Sequence, residues 1–319
     1  DEPADGYDAG TDCDDEDSAM SPSDFDGDGT SSCDGDCDDE DSEVLDTCPT
    51  TPVVGGGYHT CSIDKSGAVS CWGLDDDSQV TDVPTTDAYP VLSAGGYHNC
   101  ALDSTGVIEC WGRNDDFQSS SAPASSGYTD VAAGALDHSC AIDSGGFVEC
   151  WGKDTSNKVT GVSTGSGCTA VTAGLDHACA IEASRGITCW GNDSHNQVAD
   201  TPSDTGFVVL TAGGDHTCAL DVSGSIDCWG NDDYSQITDA PTDIGYTAVS
   251  AGLEHTCALD ATGAVECWGN NAYSQVSDAP SGSGYTHLSA GHYHNCVVDS
   301  SESLECWGLD DDGQVSDIP

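Results

Sequence analysis

The sequence predicts an all-β protein: a seven-bladed β-propeller with a short acidic calcium-binding N-terminal segment. A unit of about 39 residues recurs seven times between Val53 and Pro319, and each copy contains short strand-like runs. The first and last copies resemble the middle ones, whereas a solenoid would need atypical capping repeats at its ends. We therefore divide the chain into an acidic, Cys-containing segment at 1–52 and a propeller at 53–319.

The sixth copy shows the repeat most clearly. The run Ala-Gly-Leu-Glu-His-Thr-Cys-Ala-Leu-Asp at 251–260 is followed by Val-Glu-Cys-Trp-Gly at 265–269. Gly, Asp, Ser and Pro separate the apolar runs, and no helical period is sustained. We expect four strands per copy, in this one at Tyr246–Ser250, His255–Asp260, Ala264–Trp268 and Gln275–Ala279.

The spacing of the Cys residues predicts one disulfide in each blade. Folding the second copy about Thr105 places Leu102 opposite Ile108 and Cys100 opposite Cys110, close enough to bridge. Pairs ten positions apart in separate blades lack the close spacing of zinc sites. Each bridge should stabilise the fold by about 2.5–3 kcal/mol. The predicted pairs are Cys61–Cys71, Cys100–Cys110, Cys140–Cys150, Cys179–Cys189, Cys218–Cys228, Cys257–Cys267 and Cys296–Cys306.

Three further positions of the repeat have structural interpretations. Gly106 and its equivalents supply a left-handed residue in the hairpin turn. Arg185 and Glu302 replace this Gly, so we expect those two turns to differ slightly. The Trp after the second Cys should pack between blades. The recurring His should satisfy buried backbone groups rather than form a metal or catalytic ring.

The combined motif Ala-Gly-x-x-His-x-Cys-Ala-Leu…Cys-Trp-Gly…Gln resembles the regulator-of-chromosome-condensation repeat family. The resemblance covers residues 53–319 and implies a seven-bladed propeller. The Trp-Gly…Gln-x-x-x-x-Pro form is also similar to the secreted bacterial propellers that inhibit β-lactamases. Nuclear members of the family exchange nucleotide on a small GTPase and contact chromatin, a role that the charge and the Cys pairs of this chain oppose. No catalytic residue carries over from the family.

Residues 1–52 contain 20 Asp and Glu and no Lys or Arg. Alternating Asp residues followed by Gly, beginning at Asp24, place oxygen ligands around one cation as calcium loops do. Gly35 occupies the position of the usual loop Glu, so the segment is not a standard EF-hand. It resembles the Asp-rich calcium motifs of bacterial surface proteins and the thrombospondin type 3 repeat. A disordered acidic tail is the alternative. The proposed calcium ligands are Asp12, Asp14, Asp24, Asp26, Asp28, Thr30, Asp36 and Asp38.

The charge restricts the classes of partner. With 58 acidic and 5 basic residues, the formal charge of −53 opposes binding to nucleic acid and to anionic membranes. The 19 Cys residues indicate an oxidising, extracellular or cell-surface location. The residue before each recurring His offers a variable face for a basic partner. These binding candidates are Tyr58, Tyr97, Asp137, Asp176, Asp215, Glu254 and Tyr293.

Two functions remain after this reasoning. The first is an extracellular structural or adhesive protein, a filament subunit whose N-terminal segment docks on a neighbouring copy. The alternative is a secreted protein-binding or inhibitory module that uses the propeller face. We do not expect an enzyme, because no singular constellation of side chains interrupts the repeat. We expect any special function to lie where the repeat is irregular: at 1–52, at the insertion Ala135–Asp137, at Lys158 and at the unpaired Cys168. Cys168 should be either a buried free thiol or a link to another segment. Asp runs after Trp-Gly, as at 75–77, should mostly be solvated loops, with calcium binding as the second possibility.

Overall fold

Seven antiparallel three-stranded sheets follow one another along the chain and form a closed ring, as predicted for a seven-bladed propeller. The computed structural model describes residues 53–64, 67–85 and 89–319. In every blade the first strand lies next to the central channel, and the second and third strands follow outward. The first strand of the seventh blade packs beside that of the first blade, which closes the ring.

The strands are short because Gly, Asp, Ser and Pro interrupt each copy at regular positions. Blade 1 comprises β1 Val53–Gly55, β2 His59–Ile63 and β3 Val69–Gly73; blade 2, β4 Val91–Ala94, β5 His98–Leu102 and β6 Ile108–Gly112; blade 3, β7 Tyr128–Ala133, β8 His138–Asp143 and β9 Val148–Gly152; blade 4, β10 Ala170–Ala173, β11 His177–Ile181 and β12 Ile187–Gly191; blade 5, β13 Phe207–Ala212, β14 His216–Asp221 and β15 Ile226–Gly230; blade 6, β16 Tyr246–Ala251, β17 His255–Asp260 and β18 Val265–Gly269; blade 7, β19 Tyr285–Ala290, β20 His294–Asp299 and β21 Leu304–Gly308.

The hairpin between the second and third strands has the predicted register. In blade 2, Leu102 pairs with Ile108 and Cys100 pairs with Cys110. All seven predicted pairs form disulfides, one in each blade. Arg185 and Glu302 adopt φ values of 60° and 65°, close to the 73° of Gly106, so these turns keep the left-handed conformation despite the substitution.

The prediction of a fourth strand in each copy is wrong. In blade 6 the segment Gln275–Ala279 lies in a loop of turns that follows Trp268-Gly269. The loop is held by its own side chains: Asn271 Oδ1 accepts hydrogen bonds from the backbone N–H groups of Val276 and Ser277, both at 3.0 Å. Such local side-chain bonds replace the ladder that a strand would need. The first Asp of several Asp runs, Asp75 among them, performs the same role in its own blade.

Each Trp connects neighbouring blades, as the sequence predicts. Trp151 of blade 3 shares a hydrophobic cluster with Leu102 and Ile108 of blade 2 and with Tyr128 of its own blade. Its indole Nε1–H donates to the backbone carbonyl of Gln118, in the loop that follows blade 2, at 2.7 Å. The same bond recurs in all seven blades, and in blade 1 it runs from Trp72 to Gln314 near the C-terminus. The loop after blade 7 therefore fastens blade 1.

The expectation that the recurring His satisfies backbone groups is wrong for its Nε2 atom. Six of the seven His side chains are bonded through Nε2 to a polar side chain of the next blade at 2.7–2.9 Å, as His216 is to Thr256. Burial lowers the pKa of His216 to about 3, so the ring stays neutral. A Gly that precedes the His in every copy, by three residues in six copies and by four in the third, makes room for the ring, since a Cβ on Gly252 would lie 2.2 Å from the His255 ring.

Candidate binding face

One face of the ring carries the turns that contain the residue before each recurring His. It combines the turns between first and second strands with the loops after Trp-Gly, which are joined by backbone hydrogen bonds such as Arg113 N–H to the Tyr97 carbonyl at 2.9 Å. We call this surface the mouth face because the central channel opens between its turns. In each turn a backbone N–H donates to a carbonyl in the turn of the next blade. The His292 N–H of blade 7 donates to the Gly56 carbonyl of blade 1, so these hydrogen bonds form a closed ring around the rim.

All seven predicted binding residues lie on the mouth face, but the structure divides them into two groups. Tyr293, Tyr58 and Tyr97 come from blades 7, 1 and 2, which are consecutive in the ring; we call them, with Tyr273, the aromatic arc. The acidic residues come from blades 3 to 6 and form the acidic arc. Its members are Asp137, Asp176, Asp215 and Glu254.

The aromatic arc is a packed cluster of rings. The ring centroid of Tyr58 lies 5.8 Å from that of Tyr97 and 6.1 Å from that of Tyr293. Tyr273, from the loop after blade 6, meets Tyr293 edge-on at 5.2 Å. His292 packs against both Tyr58 and Tyr293 from the channel side. Such tilted and edge-on contacts stabilise aromatic pairs beyond the area that they bury.

Burial and neighbouring groups raise the pKa of two of these phenols. Burial, followed by the neighbouring Tyr58 and by Glu254, raises the pKa of Tyr293 to about 12. Burial and Tyr97 likewise raise the pKa of Tyr58, to which Asp312 also contributes. The arc therefore presents uncharged aromatic rings with carboxylates at its border.

The carboxylates of the acidic arc, in contrast, have partners within the chain. Lys158 Nζ contacts Asp137 Oδ1 and lies 2.6 Å from Asp176 Oδ1, while Lys153 lies 3.0 Å from Asp137 Oδ2. Burial alone would raise the pKa of Asp137, but the bonds and charges of the two Lys residues hold it below its usual value. This part of the face is already neutralised by the protein's own cations.

The other two members of the acidic arc have polar partners. Gln197 Nε2 donates to Asp215 Oδ1 at 3.1 Å, and the ring of His195 lies 4.0 Å from the same carboxylate. Burial raises the pKa of Asp215 above its ordinary value. Asn270 donates to Glu254 at 2.8 Å.

Lys158 replaces the Gln that the other six copies carry at this position, and the substitution creates a buried ionic cluster. Its side chain has no exposed surface, and its ammonium also donates to the Leu175 carbonyl at 3.2 Å. The extra residue in Ala135–Asp137 belongs to the same site, since Asp137 is one of its two carboxylate partners. Two irregularities of the sequence thus meet in one buried ionic cluster.

The channel is a cavity of about 240 Å³ lined by the first strands. At the mouth, His292 reaches from blade 7 to the backbone of Ala135 in blade 3, and burial lowers its pKa to about 4. Sequence reasoning missed Asp130, whose Oδ2 accepts from the N–H of Val171 in the next blade at 2.9 Å. Burial raises the pKa of Asp130 to about 6. The signal was available, because aligned first strands carry no other acid there.

Cys168 is a buried free thiol, the first of the two alternatives considered for it. Burial raises its pKa above the ordinary thiol value. The calcium ligands predicted at 1–52, and the remaining four Cys residues, lie outside the described residues. Within the described ranges, no group of three His, Cys, Asp or Glu side chains is arranged to hold a metal ion.

Comparison with known proteins supports the repeat family in part of the chain. Residues 92–118, 207–236 and 246–275 match the model of the regulator of chromosome condensation (RCC1) repeat. These segments fall in the second, fifth and sixth copies. Among curated proteins no match is found.

Several solved structures share the fold. The ectodomain of the receptor kinase CR4 from Physcomitrella patens is 27% identical with a TM-score of 0.66, covering 81% of this chain and 73% of that one. The CRINKLY WD40 ectodomain of the Arabidopsis thaliana receptor kinase ACR4 is 25% identical with a TM-score of 0.68, covering 84% and 98%. Prp20p from Saccharomyces cerevisiae, at 16% identity and a TM-score of 0.59, covers 75% and 80% and shares the fold alone.

Proposed function

We propose that this chain is an extracellular protein-interaction module that binds its partner through the mouth face. The observation that carries the proposal is the aromatic arc, a cluster of neutral Tyr rings on the rim of a highly acidic propeller. Surface clusters of Tyr are typical of protein interfaces, since the ring offers large contact area with few rotatable bonds. Tyr273 keeps 45% of its surface exposed.

Two observations support the extracellular location. Seven disulfides in one domain are typical of oxidising compartments. Two similar solved structures, at 27% and 25% identity, are ectodomains of receptor kinases. The described residues contain no helix long and apolar enough to cross a membrane.

A displayed random-peptide library tests the proposal. The immobilised protein should enrich peptides, and Tyr58→Ser with Tyr293→Ser should abolish that enrichment. The control variant carries Val222→Ser and Ile244→Ser, which change two exposed apolar side chains. One lies in the hairpin turn at the opposite end of blade 5 and the other in the following loop. This variant should still enrich peptides. Circular dichroism verifies that each variant is folded. The absence of enriched peptides, or equal loss in both variants, overturns the proposal.

The finer expectation, a structural or adhesive filament subunit, depends on calcium binding at 1–52. We keep both as proposals supported by the Asp spacing at 24, 26 and 28. Titration calorimetry on chelator-stripped protein should show calcium binding that Asp24→Asn with Asp26→Asn removes. Negative-stain microscopy with and without calcium then tests assembly. A monomer under both conditions rules out the filament and leaves the binding module.

A further inference from the structure

We propose that the aromatic arc binds an arginine side chain of a basic segment in the partner protein. The inference rests on the proposed function and adds the chemistry of recognition and its place on the face. It follows from the difference in charge balance between the two arcs.

Within the acidic arc, the carboxylates of blades 3 and 4 have no need of an external cation. Lys153 and Lys158 already neutralise Asp137 and Asp176, and the fully buried Lys158 contacts both carboxylates. A basic partner gains little there, because exchanging one ion pair for another returns no net attraction.

The carboxylates around the aromatic arc are not balanced in this way. Glu254 and Asp312 lie close enough to raise the pKa of Tyr293 and Tyr58 respectively, so both border the cluster. Asp312 is exposed. Within the described residues the cation of this sector is Arg113, and its nearest carboxylate is Asp115 at 3.0 Å. A net negative potential therefore surrounds the neutral rings.

Arg113 shows which contact the rings accept. Its guanidinium lies over the Tyr97 ring, 5.5 Å from the centroid, which is a cation–π arrangement. Tyr58 and Tyr293 belong to the same cluster and are bordered by carboxylates rather than by a further guanidinium. An arriving Arg gains both the ring face and a carboxylate partner.

The geometry favours Arg over Lys. A guanidinium is planar, stacks on an aromatic ring and is more weakly hydrated than an ammonium, so it loses less hydration free energy when it is covered. Among the described residues, the cation that lies over a ring of this cluster, Arg113 over Tyr97, is also a guanidinium.

Calorimetry with the amidated peptide Gly-Arg-Gly-Arg-Gly tests the inference, with citrulline and Lys versions as probes of charge and shape. We expect the Arg peptide to bind most tightly and the uncharged citrulline peptide to lose most of the affinity. Comparable binding of the citrulline peptide overturns the inference.

A matched pair of variants separates the arc from the overall negative charge. Tyr273 and Tyr234 occupy the same loop position in blades 6 and 5, and both are exposed, at 45% and 47%. Tyr273→Leu should weaken Arg-peptide binding about fivefold, and Tyr234→Leu should leave it unchanged. Equal effects would mean nonspecific attraction to an acidic protein. Library enrichment of peptides without Arg would preserve the proposed function and remove only this inference.

Discussion

The interface between blades 3 and 4 differs from the other six, and the difference shows how a repeat protein accommodates an exception. At the six, a neutral His bonds the Asn, Ser or Thr of the next blade. At the exception that partner position is Ala178, and neither ring nitrogen of the fully buried His138 has a hydrogen-bond partner among the described residues. The contact that defines the repeat is missing there.

Charged side chains lie at this interface in place of the missing hydrogen bond. Lys158 connects Asp137 of blade 3 to Asp176 of blade 4. In the channel wall, five interfaces use a Ser or Thr hydroxyl that accepts from a backbone N–H of the next blade, as Thr211 does from Ala251 at 3.0 Å. Between blades 3 and 4, the Asp130 carboxylate accepts such a bond instead. One interface is therefore ionic where the others are mostly neutral.

Acidification should have the largest effect on the stability of the fold, because it acts on all seven ring His residues. Burial lowers their pKa values to about 3 or 4, as for His98 and His59, against an ordinary value of 6.5. Below pH 6.5 the unfolded chain gains protons that the folded chain does not, so stability is complete above that pH and falls towards pH 4. The three Asp residues whose pKa burial raises, Asp130, Asp215 and Asp227, oppose this loss but are fewer than the seven His residues.

Urea denaturation between pH 7 and 4.5 measures this loss. About 1 M salt in all samples screens the carboxylate repulsion, which acid would otherwise relieve. The denaturation midpoint should decrease steadily. A midpoint that stays level or increases would show that the His ring is not held neutral.

Lys158→Met should have the next largest effect, and it is confined to the exceptional interface. The substitution keeps the length of the side chain but leaves two carboxylates without their buried cation, which should destabilise the fold by about 3 kcal/mol. Lys153→Met is the matched control, since it also contacts Asp137 but is 44% exposed and should cost less than about 1 kcal/mol. If chemical denaturation shows similar losses of stability for the two variants, the buried cluster has no special role.

The disulfides should not distinguish the interfaces, since each lies within a blade. Replacing both Cys of Cys140–Cys150 in blade 3, or of Cys257–Cys267 in blade 6, by Ser should cost about 3 kcal/mol in either case. Denaturation without reductant measures both. A much larger loss of stability for the blade 3 variant would indicate that its disulfide also supports the irregular interface.

Much of this fold follows from local pattern. The hairpin register and the disulfides were predictable because Cys100 and Cys110 oppose each other once the turn is placed. The fourth strand was not, because Asn271 and Gln275 bond the local backbone and this competes with a ladder that sequence periodicity cannot see. Where a ring His has a partner, it lies in the next blade, 40 or 41 residues away in five cases and 234 residues away for His294, so its identity required the closed ring.

The candidate site was predictable as a list of positions but not as a surface. The residue before each His lies on the mouth face, yet the sequence does not reveal that Lys158 neutralises Asp137 and Asp176 on one side of that face while Tyr rings cluster on the other. Such a division depends on long side chains that cross between blades. Reading Lys158 as a mere irregularity therefore missed its effect on Asp176.

Ala178→Thr offers the finest test of the comparison, because it restores the repeat at its one missing contact. The new hydroxyl would occupy the position of Thr217, which lies 2.8 Å from His177 Nε2 in the next interface. It should give His138 a partner and stabilise the fold by about 1 kcal/mol. The converse change, Thr217→Ala, should destabilise it by about 1–2 kcal/mol because it leaves His177 buried without that partner. Denaturation midpoints of the two variants should move in opposite directions. If Ala178→Thr is destabilising, the interface has been repacked around Lys158 so closely that the neutral contact no longer fits, and the ionic cluster is then an alternative to the repeat rather than an addition to it.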